Sequence, residues 1–414
     1  MRKSVLLMVL VSIMVTLSAA TAFAAVVRPE FRAPRFYEAG PGPDGIVTGD
    51  FDEDGKPDLV TSNRYGGGDP EGVTGDVSCL RGAGDGTFDK VYEEDLTVSA
   101  NSISVGRLNR DSHLDVVLTD PDSSPPSVVV LLGNGDCSFT KKDTEDSGGA
   151  SPGFDPYDTA LSDFDRDGDV DVAVTNQESN SVRIFDNNGR GNLSIDQTIE
   201  VVGGPNGISA GRLNGDADRD LAVALSGEGT VAVLENDGSG TFTLSPDTRD
   251  MTNAEAPYPS PLVLADFNKD GKLDVATGNV DTNETDDDVV AIAPGNGDGT
   301  FGDPVFKSSG GDCPLSLKTG DYNSDGNLDI VAANQFCSVT NTSLNRGNFS
   351  TLSGRGNGTF AGPDRFDTGD GPLGITSGKY NADDKSDVAT ATFGAGGPDT
   401  ETDTVAISIN KTPN

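Results

Sequence analysis

The chain has 414 residues but only one histidine, His113, and four cysteines. A single imidazole fits poorly with a Ser-His-Asp triad or a histidine-rich zinc site. His113 lies in a polar turn and is expected to face solvent. Basic residues are also scarce: 29 Lys and Arg against 67 Asp and Glu give a net charge of −38. That balance argues against DNA or RNA as a partner, because neutralising phosphates takes Lys and Arg. It favours divalent cations, basic partners or a salty environment. Two carboxylates can hydrolyse a glycoside, yet no pair stands out among so many acids. No segment after the first two dozen residues sustains a helical period, and no second apolar run is long enough to span a bilayer. The 53 glycines recur at intervals together with Asp, which marks an all-β chain rather than low-complexity disorder.

The start has the form of a secretory leader. Arg2 and Lys3 precede an apolar run from Val5 to Leu17, and Ala22-Phe23-Ala24 is a small-residue site for cleavage before Ala25. Residues 1–24 are therefore expected to be removed, leaving 25–414 as one domain. The polar end Lys411-Thr412-Pro413-Asn414 carries no sorting motif, so the product is expected to be released as a secreted monomer, with periplasm or cell surface as alternatives.

One pattern occurs seven times, first as Gly49-Asp-Phe-Asp-Glu-Asp-Gly-Lys-Pro-Asp58. Aligned on Asp50, the later copies begin at Arg107, Asp163, Arg212, Asp266, Asp321 and Lys379, with spacings of 57, 56, 49, 54, 55 and 58 residues. Each copy runs into an apolar segment such as Val172-Ala173-Val174, and a second apolar run follows. A glycine-rich turn and a Phe come next, as in Gly82-Ala-Gly-Asp-Gly-Thr-Phe88 and Gly295-Asn-Gly-Asp-Gly-Thr-Phe301. Glycines at alternate positions suit a tight hairpin that needs positive φ, and no helix follows to make a phosphate loop. Four short strands, A to D, in about 55 residues make one propeller blade. The last unit ends at a third strand, Val405 to Ile409, and Phe31 to Phe36 resembles the missing fourth. A seven-bladed β-propeller closed by its own N-terminal strand is expected.

These units resemble the FG-GAP/VCBS repeat family, which includes the propeller of integrin α chains and many bacterial secreted proteins. The resemblance covers essentially the whole mature chain and implies fold more than activity. Four copies keep acids or amides at positions 1, 3, 5 and 9: Asp50, Asp52, Asp54 and Asp58; Asp163, Asp165, Asp167 and Asp171; Asp266, Asn268, Asp270 and Asp274; Asp321, Asn323, Asp325 and Asp329. Calcium takes six to eight oxygens, and alternating acids on a tight loop can converge on one ion. Gly55, Gly168, Gly271 and Gly326 allow the bend, and the family implies a position-7 carbonyl as a further ligand. Position 12 lacks the bidentate Glu of an EF-hand and strands flank the loop, so these are not EF-hands. Four structural calcium sites are expected.

The other three copies carry Arg107, Arg212 or Lys379 at position 1. Acids or amides remain: Asn109, Asp111 and Asp115; Asn214, Asp216 and Asp220; Asn381, Asp383 and Asp387. The basic group is expected to take the place of the metal and neutralise these carboxylates. Disulfides are expected in a secreted chain. Cys313 and Cys337 lie 12 residues either side of Asp325, at the far ends of one A–B hairpin. That symmetry favours their pairing and leaves Cys79 with Cys137.

A non-catalytic binding or adhesion module for an extracellular protein or glycan fits these features. An extracellular polysaccharide lyase or hydrolase is the alternative, and a structural subunit of a surface assembly is a third reading. The B–C connections are short near Gln177 to Asn180 and Gly227 to Gly229. They are long at Asn63 to Asp76, Asn279 to Asp288, Gln335 to Asn348 and Phe393 to Asp403. Ring closure makes those four blades consecutive, so their loops form a crescent bearing Tyr65, Phe336 and Phe393, which can stack on a sugar, and Asp286, Asp287 and Asp288, which suit a cation. Trimming the Gln335 to Asn348 loop is expected to remove ligand binding while calcium affinity stays unchanged. Binding that survives trimming of this loop and of Asn63 to Asp76 places the site elsewhere.

Overall fold

The computed structural model describes residues 26–64, 76–95, 98–148, 155–253, 257–280, 288–335, 347–369, 371–393 and 403–413. The expected leader and most of the long B–C connections, including Tyr65, Asp286, Asp287, Phe336 and Cys337, lie outside the described residues.

Among these residues the chain forms seven antiparallel sheets and no helix. The first is a meander of Pro43–Gly49, Asp58–Asn63, Asp76–Gly82 and Phe88–Asp95. The innermost strands of the next six are Ile103–Gly106, Thr159–Ser162, Pro205–Gly211, Tyr258–Ala265, Pro314–Gly320 and Gly371–Gly378. Each A strand pairs with its B strand so that the repeat occupies the connecting turn, as in Gly49↔Asp58 and Gly320↔Asp329. In the seventh sheet the outer strand comes from the other end of the chain: Arg35–Glu38 pairs with Thr404–Ser408, and Phe31 bridges Asn410. The outer strand of the fourth sheet is split into Phe242–Leu244 and Arg249–Asp250, both paired with Thr230–Asn236. The B strands of the first four blades are buried at every residue, because both faces of a blade pack against its neighbours.

Two contacts tie the repeat to this architecture. The first lies within a blade. The position-9 aspartate is buried in all seven copies. Its Oδ2 accepts the position-2 N–H at 2.7–3.0 Å, and its Oδ1 accepts the N–H of a residue that ends strand C or, at Gly295 and Asn410, lies two past its end, at 2.7–3.1 Å. The carboxylate thus pins the A–B turn to the far end of a strand that begins many residues later. Where the strand-C residue is Gly, as at Gly82, a side chain would strike the Pro57 carbonyl.

The second contact joins blades. The position-2 residue buries its side chain against the first residue of strand D in the next blade. The rings of Phe51 and Phe139 meet edge-on at 5.8 Å, Phe164 and Phe242 at 5.3 Å, Phe267 and Phe360 at 5.4 Å, and Tyr380 and Phe88 at 5.3 Å. Such edge-on pairs are the favoured aromatic geometry. Phe31, from the N-terminal segment, fills this place beside Tyr322 at 6.5 Å and meets Phe349 and Phe366. The position-2 carbonyl accepts from the next blade's glycine-rich turn: Cys137 N on Phe51 O at 3.1 Å, Gly191 N on Leu108 O at 2.9 Å and Gly86 N on Tyr380 O at 2.8 Å.

Cys79, on strand C of the first blade, is bonded to Cys137 in the second blade's turn. Cys313 is also disulfide-bonded. The Cys79 bridge adds a covalent link to an interface that already holds the Phe51–Phe139 pair.

Because Arg212 heads the fourth loop, Asp220 isolates the pinning role from any metal. Asp220→Ala strips the partners from the Leu213 and Asn236 N–H groups, and each charge-assisted bond to a buried group is worth a few kcal/mol at most. We expect a loss of about 3 kcal/mol in urea denaturation, equal with and without calcium. A loss confined to calcium-loaded protein would show that this aspartate acts through a metal.

Candidate metal centres and the axial channel

All seven A–B turns stand on one rim of the ring. In the four complete copies the backbone makes the same bend. Gly55, Gly168, Gly271 and Gly326 have φ of 84°, 95°, 84° and 79°, and nothing lies within 4 Å of where a side chain would start. Position 4 is also left-handed, at Glu53, Arg166, Lys269 and Ser324. The position-6 N–H donates to the position-1 carboxylate at 2.9–3.2 Å, which aims that carboxylate across the loop.

The structure brings Asp50, Asp52 and Asp58 together, and likewise Asp163, Asp165 and Asp171, with ligand oxygens within 4.8 Å of one another. Asp50 Oδ1 and Asp163 Oδ1 are buried and accept no hydrogen bond. A buried carboxylate oxygen without a donor is costly unless a cation meets it, so these residues fit a hard cation. In the fifth and sixth loops, Asp266, Asn268, Asp270 and Asp274, and Asp321, Asn323, Asp325 and Asp329, repeat the backbone arrangement with an amide at position 3. There Asp270 N and Asp325 N each donate at 3.1 Å to the Oδ1 of Asp266 and Asp321, the oxygen left unpartnered in the other two loops. The first loop also holds cations of its own: Arg81 Nε is 2.5 Å from Asp52 and Lys56 Nζ is 2.7 Å from Asp54.

Asp186 was not anticipated. It lies on strand C of the third blade, and its carboxylate joins Asp165 and Asp167 in a second cluster that shares Asp165. The corresponding strand-C residue of the first blade is Arg81, so one place in the fold adds a negative group to the third loop and a positive group to the first. The repeat alignment carries this signal, but only pairing of strand C with strand B places the residue beside the turn.

The degenerate loops correct one expectation. Arg107 Nε donates to the Ser112 carbonyl and Arg212 Nε to the Ala217 carbonyl, both at 3.1 Å, and Lys379 pairs with Asp384 at 3.2 Å. Among the described residues none of the three forms an ion pair with the acids left at positions 5 and 9. The guanidinium reverses the position-1 to position-6 bond: a side chain donates to a carbonyl where, in the complete loops, a carboxylate accepts from an N–H. His113 is half-buried rather than open to solvent, with Nδ1 2.8 Å from Glu53 Oε1 of the preceding loop. Asp288 is corrected too. It is buried and accepts the Cys313 N–H, so it turns inward and is not presented to a cationic partner. Phe393 ends strand Asp387–Phe393.

The other feature that sequence reasoning missed is the channel along the ring axis. A cavity of about 530 Å³ is lined by the A strands of all seven blades. Its polar groups include Asp44, Asn101, Tyr157, Asp158, Ser260 and Lys318. Asp158 is well partnered, accepting from Ser102 Oγ at 3.0 Å, Thr159 N at 2.8 Å and Ile208 N at 3.3 Å. Tyr157 Oη reaches Ser260 Oγ at 3.5 Å, and Ser260 donates to Asn206 at 3.2 Å. Burial raises the Asp158 carboxyl and Tyr157 hydroxyl pKa values and pushes Asp44 up to about 7 against the pull of Arg64. Burial lowers Lys318, opposed by Asp158. The Lys318 side chain is solvent-exposed, but the space it reaches is the channel, and water there moderates these shifts.

The sheets and the repeated acidic turns together define a seven-bladed β-propeller with candidate cation loops along one rim. The chain belongs to the FG-GAP-like repeat family, whose pattern matches residues 50–118, 107–174, 163–223 and 212–277. Similar folds occur in a protein from Lactobacillus plantarum (16% identity, TM-score 0.61, 82% of this chain and 89% of that one). They occur also in a putative 6-phosphogluconolactonase from Bacteroides uniformis (14%, 0.59, 80% and 87%) and a periplasmic gluconolactonase from Pseudomonas aeruginosa (16%, 0.58, 79% and 86%). At such identities the likeness concerns fold alone. No curated protein matches the chain. Among the described residues no helix is long and apolar enough to cross a membrane.

Burial raises the carboxyls of Asp58 and Asp387 to about 6 and those of Asp171 and Asp329 to about 7. An acid whose folded pKa exceeds its unfolded value binds more protons when folded, so its contribution is complete at low pH and is lost as pH rises through the folded value. Calcium-stripped protein is therefore expected to lose thermal stability between about pH 4 and about pH 7, from the unfolded value up to the folded ones. Calcium at the higher pH should restore it, since the ion stabilises the charged form in the complete loops. A calcium-free melting temperature that climbs across this range would contradict the raised values.

Proposed function

We propose that the protein is a secreted, calcium-stabilised propeller that binds an extracellular protein or glycan without transforming it. The observation that carries the calcium reading is the pair of donorless buried oxygens, Asp50 Oδ1 and Asp163 Oδ1, facing clustered carboxylates in loops of identical backbone form. Calcium would be held by Asp50, Asp52, Asp54 and Asp58; by Asp163, Asp165, Asp167 and Asp171; and by the two amide-containing sets at 266–274 and 321–329. When bound it supplies positive charge that relieves repulsion among these acids, so its binding free energy adds to fold stability. The position-9 acids already serve as pins within each blade, which supports a structural ion rather than a catalytic one. A rigid ring whose connections vary freely suits recognition.

Calorimetric titration of the stripped chain is expected to give four calcium ions per molecule, and chelation is expected to lower the melting temperature substantially. Asp270→Ala should reduce the count to three, while Arg212→Ala should destabilise the fold and leave four. Zero or seven ions would overturn the assignment. Release of products from a polysaccharide incubated with calcium-loaded protein would overturn the non-catalytic part.

A further inference from the structure

Lys318 breaks the pattern of the inner ring. Counted back from the repeat, the six other blades place Val47, Ser104, Ala160, Ser209, Val263 and Thr376 at its position. A charged side chain exposed within a channel is held by water unless it finds a paired charge or a hydrogen-bond partner there. Among the described residues the Lys318 amine has neither, and Asp158 acts on it only at a distance. Asp44 is the second incompletely satisfied charge. Among the described residues its carboxylate receives no hydrogen bond, and the nearest cation, Arg64, is 3.8 Å away. The groups between these two, Asp158, Ser102 and Ser260, are already bonded to protein.

Asp44 lies three residues further from the rim turn than Lys318 in the aligned A strands. At about 3.3 Å per residue their backbone positions are offset by roughly 10 Å along the strand direction. Apolar side chains such as Ile46, Leu264 and Leu317 also line the cavity. The single Lys318 amine can neutralise one carboxylate but not a dianionic phosphate, and the nearby acids Asp44 and Asp158 make a second negative charge costlier still. A carboxylate acceptor at the other end suits a hydroxyl donor.

We propose that the axial channel is a binding site for a small hydroxylated monocarboxylic acid, with Lys318 holding the carboxylate and Asp44 a hydroxyl. The cavity volume falls in the range of small-molecule sites. This deepens, and rests on, the reading of the protein as a binding module.

The test is calorimetric titration of the full calcium-loaded protein with glucuronate, galacturonate and gluconate, with glucose as the neutral control. At least one acid is expected to bind one per chain, about tenfold or more tighter than glucose, since a charge-assisted contact contributes on that scale. Lys318→Met is expected to remove that preference with the melting temperature and calcium count unchanged. Lys318→Thr, which installs the residue type of Thr376, provides a second variant should the first not fold. Absence of binding by all three acids, equal binding of acid and glucose, or a preference that survives both substitutions would overturn the proposal. Failure of acid binding in a protein that still holds four calcium ions rejects the channel site alone. A normal acid site in a protein that binds no calcium rejects the metal reading alone.

Discussion

The ring depends on a carboxylate used as a clamp. In each blade the position-9 aspartate accepts an N–H from the A–B turn and another from the end of strand C, joining parts of the chain that are otherwise linked only through the length of strand B and the B–C connection. An acceptor with two oxygens is needed because the two N–H groups lie where the sheet ladder has ended and water is excluded, and unpaired donors there are costly. The clamp is present at Asp115, Asp220 and Asp387 just as at Asp58. A loop that loses its cation-binding pattern therefore keeps its ninth residue.

The clamp also limits what the rim can do. With three N–H groups on the Asp58 carboxylate, from Phe51, Asp52 and Gly82, about one of its four lone-pair sites remains for an ion. The other ligands must come from positions 1, 3 and 5, whose direction depends on the left-handed bend at Gly55 and its counterparts. Position 4 also faces the next blade, both in loops with the bend and, at Arg110, in one without it. Glu53 meets His113, Arg110 makes two bonds to Asp169 at 2.9 and 3.1 Å, and Arg166 pairs with Asp218. Each pair joins position 4 of one loop to position 7 of the next. Anything that orders one turn thus also orders an interface between blades, which gives a bound ion leverage beyond its own loop.

Inter-blade packing and the channel are consequences of the same geometry. The position-2 residue sits between its own clamp and the following blade, so its N–H belongs to one sheet and its carbonyl and ring to the next. Phe31 shows how general this place is: with no glycine-rich turn in the seventh blade, a residue from the opposite end of the chain occupies it. Because the A strands face the axis, any long charged side chain there projects into enclosed space. Lys318 therefore carries more meaning than the many lysines and acids on the outer surface.

By itself the sequence determined the blade count, the all-β class, the turn positions and the four complete loops, because a repeat near 55 residues states each local decision seven times and neighbouring residues make the turn. It also left Cys79 and Cys137 as partners, as the pair that remained once Cys313 and Cys337 were matched across one hairpin. Tertiary structure alone decided where side chains from different parts of the chain meet. Asp186 became a neighbour of Asp165 through strand pairing, and Asp288 turned inward onto Cys313. Arg107 and Arg212 found carbonyls instead of the expected carboxylates, because the loop closes with its position-6 carbonyl nearest the guanidinium. The channel was illegible for the same reason: Asp44, Asp158 and Lys318 lie in three separate repeats, and only closure of the ring sets them around one axis.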